Sequence, residues 1–278
     1  MRGTDRWYWL IAAAVIGWGC TASQVVEQRE LMVRGSDTML ILNRQLAAGF
    51  MRANPGVSIR VQGGGTGFGV ESLVAGESEV CAASRPLAAE EVRAIYDRFE
   101  TLGVRFLIAQ DALSVYVNVG NSVRDLSLEN LRRLFAGEAV SWADVGGDAM
   151  PVTVVVRPPS SGTHRFFRDH VLRGRPYAKA AVTAPSTADV LHEVAEHGGA
   201  IGYGGVAYGG EGVVRCAVDG VQPTSDNVRA GHYPLTRHLA FCTVEPPLGL
   251  AKRFIDWCLE EEGQAIVAEV GYIPLWPG

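Results

Sequence analysis

Short runs of β-branched residues alternate along this chain with longer stretches whose apolar residues recur at helical spacing. Val57 to Val61, Val152 to Val156 and Val213 to Val214 read as strands; Ile41 to Met51, Leu128 to Phe135 and Leu248 to Cys258 read as helices. Strands interleaved with helices in this way predict an α/β protein in which helices cover the sheets. No fixed-period repeat and no low-complexity tract interrupts the pattern.

The first thirty residues follow a different plan. Arg2 and Arg6 flank the start, an apolar run goes from Trp7 to Trp18, and small residues surround Cys20, which is the layout of a secretory signal. The run falls short of the roughly 20 apolar residues that a comfortable membrane span needs, although a short signal-anchor is the plain alternative. Cleavage after Ala22 would make residues 1–22 the signal peptide. Cleavage before Cys20 would make residues 1–19 a lipoprotein signal, with Cys20 lipidated and Thr21 to Gln28 as a tether. Gly17-Trp18-Gly19-Cys20 matches a lipobox only loosely, because Trp18 stands where a small residue is usual. Either route exports the chain, to the periplasm or to the cell surface as a membrane-anchored lipoprotein.

Composition narrows the chemistry. With 278 residues, 47% hydrophobic and 20% charged, the chain can bury one large core or two smaller ones. A net charge of −5 without a basic run lacks the footprint of a nucleic-acid binder, so an anionic ligand would have to be attracted locally. Cys81, Cys216, Cys242 and Cys258 match no C-x-x-C spacing. They read as buried thiols, or in an oxidising compartment as up to two disulfides with three connectivities. The histidines show no zinc spacing, and no metal or cofactor is expected.

The informative text lies where strands hand over to helices. Arg34 to Thr38, Gln62 to Gly69 and Arg157 to His164 are rich in Gly, Ser and Thr, each after a strand-like run and before a helix-like one. The first turn of a helix offers unpaired N–H groups and a positive dipole end, hence an anion site without net charge. Small residues let the backbone approach the ligand, and hydroxyls cap the helix or turn to an oxyanion. Taken singly, each junction is equally a tight turn with an N-cap. Gly65, Gly67 and Gly69 do not fit G-x-G-x-x-G, and no junction carries a P-loop Lys, so nucleotide binding is disfavoured.

In order, these junctions resemble PstS-type phosphate-binding proteins, the substrate-binding components of ABC phosphate importers. The matching text includes Val33-Arg34-Gly35-Ser36-Asp37-Thr38-Met39, Asn54-Pro55-Gly56-Val57, the glycine-rich junction, Ala83-Ser84-Arg85-Pro86-Leu87 followed by Glu90 and Glu91, and Arg157 to Thr163. Tyr233-Pro234-Leu235-Thr236-Arg237 and Gly271-Tyr272-Ile273-Pro274-Leu275 look like the closing signatures, so the resemblance runs from about Leu31 to Leu275. It implies a two-lobed periplasmic binding protein of the type II, Venus-flytrap kind, with a mixed β-sheet flanked by helices in each lobe. Residues 31–113 and 237–278 would form one lobe and 114–236 the other, with crossings near Leu113 to Val119 and His232 to Arg237. The implied protein is a monomer and not an enzyme. It holds inorganic phosphate in the cleft, closes on it, and delivers it to the membrane permease.

The resemblance also implies a site. Thr66 falls on a hydroxyl position that donates to phosphate, and Arg157, Ser161, Gly162 and Thr163 reproduce an R-x-x-x-S-G-T element that clasps the anion. Ser36, Asp37 and Thr38 fall in the first phosphate loop; Ser84 stands where some relatives carry a ligand-facing Asp. Gly65, Gly67 and Arg85 stand behind these, Arg85 either as a second charge or paired with Asp37 or Glu71. Physically, a guanidinium matches two phosphate oxygens at once, although Arg157 would look the same in a plain salt bridge. Asp37 is either an N-cap or an acceptor for the proton that phosphate keeps and sulfate lacks.

Three other readings share these residues. Ser161 and His164 suggest a hydrolase, but no G-x-S-x-G elbow is present. Sulfate, molybdate or tungstate would suit similar donors. A phosphate-sensing surface protein would share the pocket and differ only in its partners.

Overall fold

The computed structural model describes residues 29–276; the expected signal segment and Cys20 lie outside the described residues. Two mixed sheets form, each with its own core. In the first, β1 (Arg29–Gly35) lies between β2 (Val57–Gln62) and β3 (Val80–Ala83), all parallel, and β11 (Thr236–Thr243) runs antiparallel between β3 and β4 (Val104–Ala112). The second sheet has the order β6 (Asp125–Leu126), β10 (Val213–Val218), β5 (Ser114–Asn118), β9 (Ala200–Gly204), β7 (Thr153–Val156) and β8 (Val182–Thr183). β3 and β9 are buried at every residue, as strands covered on both faces must be.

Alternation along the strands sorts side chains to two helical layers. On the first sheet, Leu31, Val33, Val80 and Ala82 pack with α1 (Leu40–Ala53), α8 (Gly249–Leu259) and α9 (Glu261–Val270). Cys81 and Ala83 point the other way, to α2 (Thr66–Ala75) and α3 (Ala89–Phe99). On the second, Val154 and Val156 face α4 (Leu128–Phe135) and α5 (Gly162–His170), where the Phe167 and Tyr203 rings stack at 4.4 Å. Val155 faces α6 (Thr187–Glu196) on the opposite side. α7 (Ser225–Arg229) belongs to the return path toward β11.

The chain leaves the first sheet at Ala112 and enters the second at Ser114, then returns before Thr236, so the first sheet takes strands from both ends of the sequence. The two crossing segments are joined by Leu113 N–H to Leu235 O at 2.9 Å and by Tyr233 O–H to Leu113 O at 2.8 Å.

One expectation changes, and one open alternative closes. The first junction does not open directly into a helix: a 3-10 turn over Asp37–Met39 intervenes and α1 begins at Leu40. Hydroxyls from distant segments hold this turn, with Tyr208 donating to Asp37 O and Tyr272 to Thr38 O. The four cysteines are free and buried, so the disulfide alternative is not realised. Burial raises their thiol pKa values, that of Cys242 to about 11 and that of Cys216 to about 12. Among the described residues, no helix is long and apolar enough to cross a membrane.

Candidate functional site

The three junctions sit at the carboxyl ends of β1, β2 and β7, where loops of parallel strands gather ligands. They meet across the boundary between the lobes. Gly67 N–H donates to Ser160 O at 3.0 Å. A Cβ on Gly162 would sit 2.4 Å from Thr66 Oγ1 and 2.6 Å from Ser84 Oγ, so only glycine lets α5 approach these hydroxyls. Gly65 has φ +96° and would place a Cβ 2.7 Å from Ser160 O, which gives it both a conformational and a steric reason to be glycine. Gly65 and Gly67 thus serve the contact between lobes.

The hydroxyls carry an identifiable set of spare donors. Thr66 Oγ1 accepts from Ser84 N–H at 3.3 Å, which leaves its own proton to donate. Ser84 Oγ is buried and has no protein partner. Ser161 Oγ caps α5 by accepting from His164 N–H at 3.4 Å. Thr163 Oγ1 lies 2.7 Å from Thr38 Oγ1, one threonine from each lobe. Ser36 is buried as well, its N–H donating to Ala82 O at 2.8 Å.

Arg157 is 1% exposed. Its Nη1 donates to Thr187 Oγ1 at 3.0 Å and its Nη2 to Asp37 Oδ2 at 2.6 Å and Pro185 O at 2.8 Å, while Nε has no protein partner. The other Asp37 oxygen accepts from Gly64 N–H at 2.9 Å. Asp37 is therefore no N-cap of its own turn, and both its oxygens already have donors; it is the counter-ion of Arg157 across the lobes. Arg85 pairs with neither Asp37 nor Glu71. Its two terminal nitrogens each donate at 2.6 Å to the oxygens of Glu91. Burial raises the Glu91 pKa, but the Arg85 and Ala88 hydrogen bonds and the Arg85 and Arg165 charges outweigh it and hold the carboxyl below its ordinary value.

Arg237 and Asp111, to which the sequence assigns no role, adjoin these residues. Both are buried, on β11 and β4, and Arg237 Nε donates to Asp111 Oδ2 at 2.8 Å. Arg237 Nη1 also donates to Thr163 Oγ1 at 3.0 Å. The signal available was the matched segment Tyr233 to Arg237, which fixed no role for the arginine.

The hydrolase reading finds no dyad. His164 turns its Nδ1 to Arg157 O at 2.6 Å and meets Ser161 only through its backbone N–H. Burial, above all, lowers its pKa. No group of three or more potential metal ligands occurs among the described residues.

Comparison with known proteins agrees with this architecture. A family model described as a PBP superfamily domain matches residues 21–262. The chain is 33% identical over 247 residues to the phosphate-binding protein PstS of Bacillus subtilis, covering 88% of this chain and 80% of that protein. A Clostridium perfringens protein, described as a phosphate ABC transporter substrate-binding protein and solved with bound phosphate, superposes with a TM-score of 0.83 at 28% identity, over 89% of this chain and all of that one. An ABC-type phosphate transport receptor from Vibrio cholerae gives a TM-score of 0.73 at 26% identity, again over 89% of this chain and 100% of its own. With two lobes, a twice-crossing chain and matches over most of its length, this chain belongs to the PBP superfamily and, within it, to the PstS-type phosphate-binding proteins.

Proposed function

We propose that this protein captures inorganic phosphate between its two lobes, residues 31–113 with 237–278 and residues 114–236, and passes it to the membrane permease of an ABC-type importer. The observation that carries the reading is the buried guanidinium of Arg157, shared across the cleft with Asp37 and keeping Nε unpartnered, in a site where Thr66 and Ser84 have protons to spare. Ser36, Asp37, Thr38, Thr66 and Ser84 supply the first lobe's side, and Arg157, Ser161, Gly162 and Thr163 the second's. Fixed donors then replace the anion's water, and only the closed form assembles both halves. The names of the relatives, which bind phosphate and serve ABC transport, support the same reading. Such a binder acts outside the cytoplasm, with Cys20 as its lipid anchor if cleavage precedes that residue, and it returns phosphate esters intact.

Calorimetric titration with phosphate, sulfate, molybdate and tungstate tests this. Tight binding of phosphate is expected, and its absence overturns the reading. One observation favours a broader oxyanion range: Asp37 is engaged at both oxygens, so its power to accept the phosphate proton is shared with Arg157 and Gly64. Asp37→Asn separates the two. If the carboxylate discriminates, the phosphate-to-sulfate affinity ratio falls; a constant ratio makes Asp37 a counter-ion alone.

A further inference from the structure

Arg237 and Asp111 stand where the two lobes are joined. β4, which carries Asp111, runs directly into the outgoing crossing at Leu113, and β11, which carries Arg237, begins where the return crossing ends. Asp111 uses one oxygen for Arg237 and the other, Oδ1, to accept from Val206 N–H at 2.8 Å, in the loop after β9 of the second lobe. Arg237 reaches the second lobe too, through Thr163 Oγ1 at 3.0 Å and the Phe166 ring, whose centroid lies 5.5 Å from the guanidinium carbon. A longer contact of 3.5 Å goes to Thr38 Oγ1. The pair is closed to water, with side chains 2% and 0% exposed.

A guanidinium only donates, so Thr163 Oγ1, and at longer range Thr38 Oγ1, act toward Arg237 as acceptors. The two hydroxyls are 2.7 Å apart and hold two protons, of which one lies between them. Whichever threonine donates to the other, one O–H proton is left over. With the guanidinium on the lone pairs, the leftover proton must point away from Arg237; without it, that proton could turn to the vacated position instead of to an anion in the cleft.

We propose that Arg237, held by Asp111, is a positioning residue that sets the Thr38–Thr163 pair as a hydrogen-bond donor to the bound anion and ties that donor to the crossing segments. The inference rests on the phosphate-binding reading and adds to it a residue that need not touch the ligand. It differs from Arg157 in having a counter-ion on its own lobe and acting on the ligand through another side chain.

The test is calorimetric titration with inorganic phosphate of the parent, Arg237→Lys, Thr163→Val and the double variant, with thermal melts of each. Lys keeps the charge opposite Asp111 but loses the fork that reaches Thr163 as well. Arg237→Lys should melt near the parent and bind phosphate about ten-fold more weakly, the worth of one well-placed hydrogen bond. In the Thr163→Val background the same change should cost little further, because the closer of the two hydroxyls that Arg237 reaches, and the pair it sets, are gone. A merely structural role would weaken binding equally in both backgrounds, and that outcome, or parent-like affinity of Arg237→Lys, overturns the proposal. Should Arg237→Lys fail to fold, Asp111→Asn/Arg237→Gln replaces the ion pair by an amide pair for the same cycle; failure of that variant as well assigns the pair to the fold alone and rejects the inference. Absence of phosphate binding by the parent is a separate result, which rejects the functional reading itself.

Discussion

Arg85 and Arg157 are both buried arginines paired with a carboxylate, yet they are placed to do different things. The partner of Arg85 is Glu91, six residues on in the same lobe, and it matches the guanidinium fork with two bonds of 2.6 Å. The partner of Arg157 is Asp37, 120 residues away in the other lobe, and it takes a single terminal nitrogen. A local, two-pronged partner leaves little for a ligand to gain, so the charge of Arg85 is spent on holding β3 to the start of α3. A partner that arrives only when the lobes meet leaves Arg157 able to share its charge with an anion. On the proposed function, separation of the counter-ion from the arginine, more than burial, is what would mark Arg157 and not Arg85 as the charge offered to the anion.

Replacing each arginine should break this contrast most visibly. Arg157→Ala removes the charge-assisted partner of a desolvated anion, at a cost of up to about 5 kcal/mol, thousands-fold in affinity at the upper limit. Calorimetry should show that loss, and because Asp37 is left largely buried without its counter-ion the melt of the ligand-free protein should fall as well; unchanged affinity would remove Arg157 from the site. Arg85→Ala should lower stability while sparing affinity. It strands Glu91 in a largely buried position, so a stability loss of about 3 kcal/mol is expected in a denaturant melt, with phosphate affinity within a factor of about two. A large affinity loss from Arg85→Ala would erase the distinction.

Gly162→Ala sharpens the comparison by disturbing the contact between lobes without touching a charge. The added methyl meets Thr66 Oγ1 and Ser84 Oγ, so the lobes cannot approach fully; overpacking of this kind costs about 2 kcal/mol, or roughly 30-fold in affinity. Small-angle scattering of the variant with phosphate should then give a larger radius than the parent with phosphate. Equal radii and equal affinity would mean that the contact is not needed for binding.

The smallest effect is one of pH. Glu91 has a folded pKa below its ordinary value of 4.5, so the native state binds fewer protons than the unfolded chain in the window between the two. The stability that this carboxylate contributes is present above the ordinary value and is lost as pH falls through the lowered one. Melting temperatures taken from about pH 6 down to about pH 3 should fall less steeply for Arg85→Ala than for the parent. Parallel slopes would show that Arg85 is not what lowers the Glu91 pKa.

Much of this was legible in the sequence. Leu128 to Phe135 is helical over the residues that its apolar spacing marks, with Ser127 Oγ capping it by accepting from Asn130 N–H at 3.1 Å. The glycine-rich junctions are where the chain turns from strand to helix, because Gly65 and Gly162 are read from steric needs that few other residues satisfy. Less legible were the partners. Nothing near Arg85 in the sequence excludes Asp37 or Glu71, and the choice of Glu91 is made by the approach of α3 to the end of β3. Asp111 and Arg237 are 126 residues apart and meet only because β4 and β11 are neighbours.

The sequence by itself determined the α/β alternation, the three Gly, Ser and Thr junctions and the arginine that follows β7, since local spacing, chain stiffness and cap chemistry act within a few residues of each other. The tertiary structure alone decided which charges are spent and which are spare: that Asp37 faces Arg157, that Glu91 saturates Arg85, and that Arg237 stands behind Thr38 and Thr163. An ion pair is set by where two strands and helices come to rest, and the residues that it joins here can lie more than a hundred positions apart, beyond the range over which one stretch of chain constrains another.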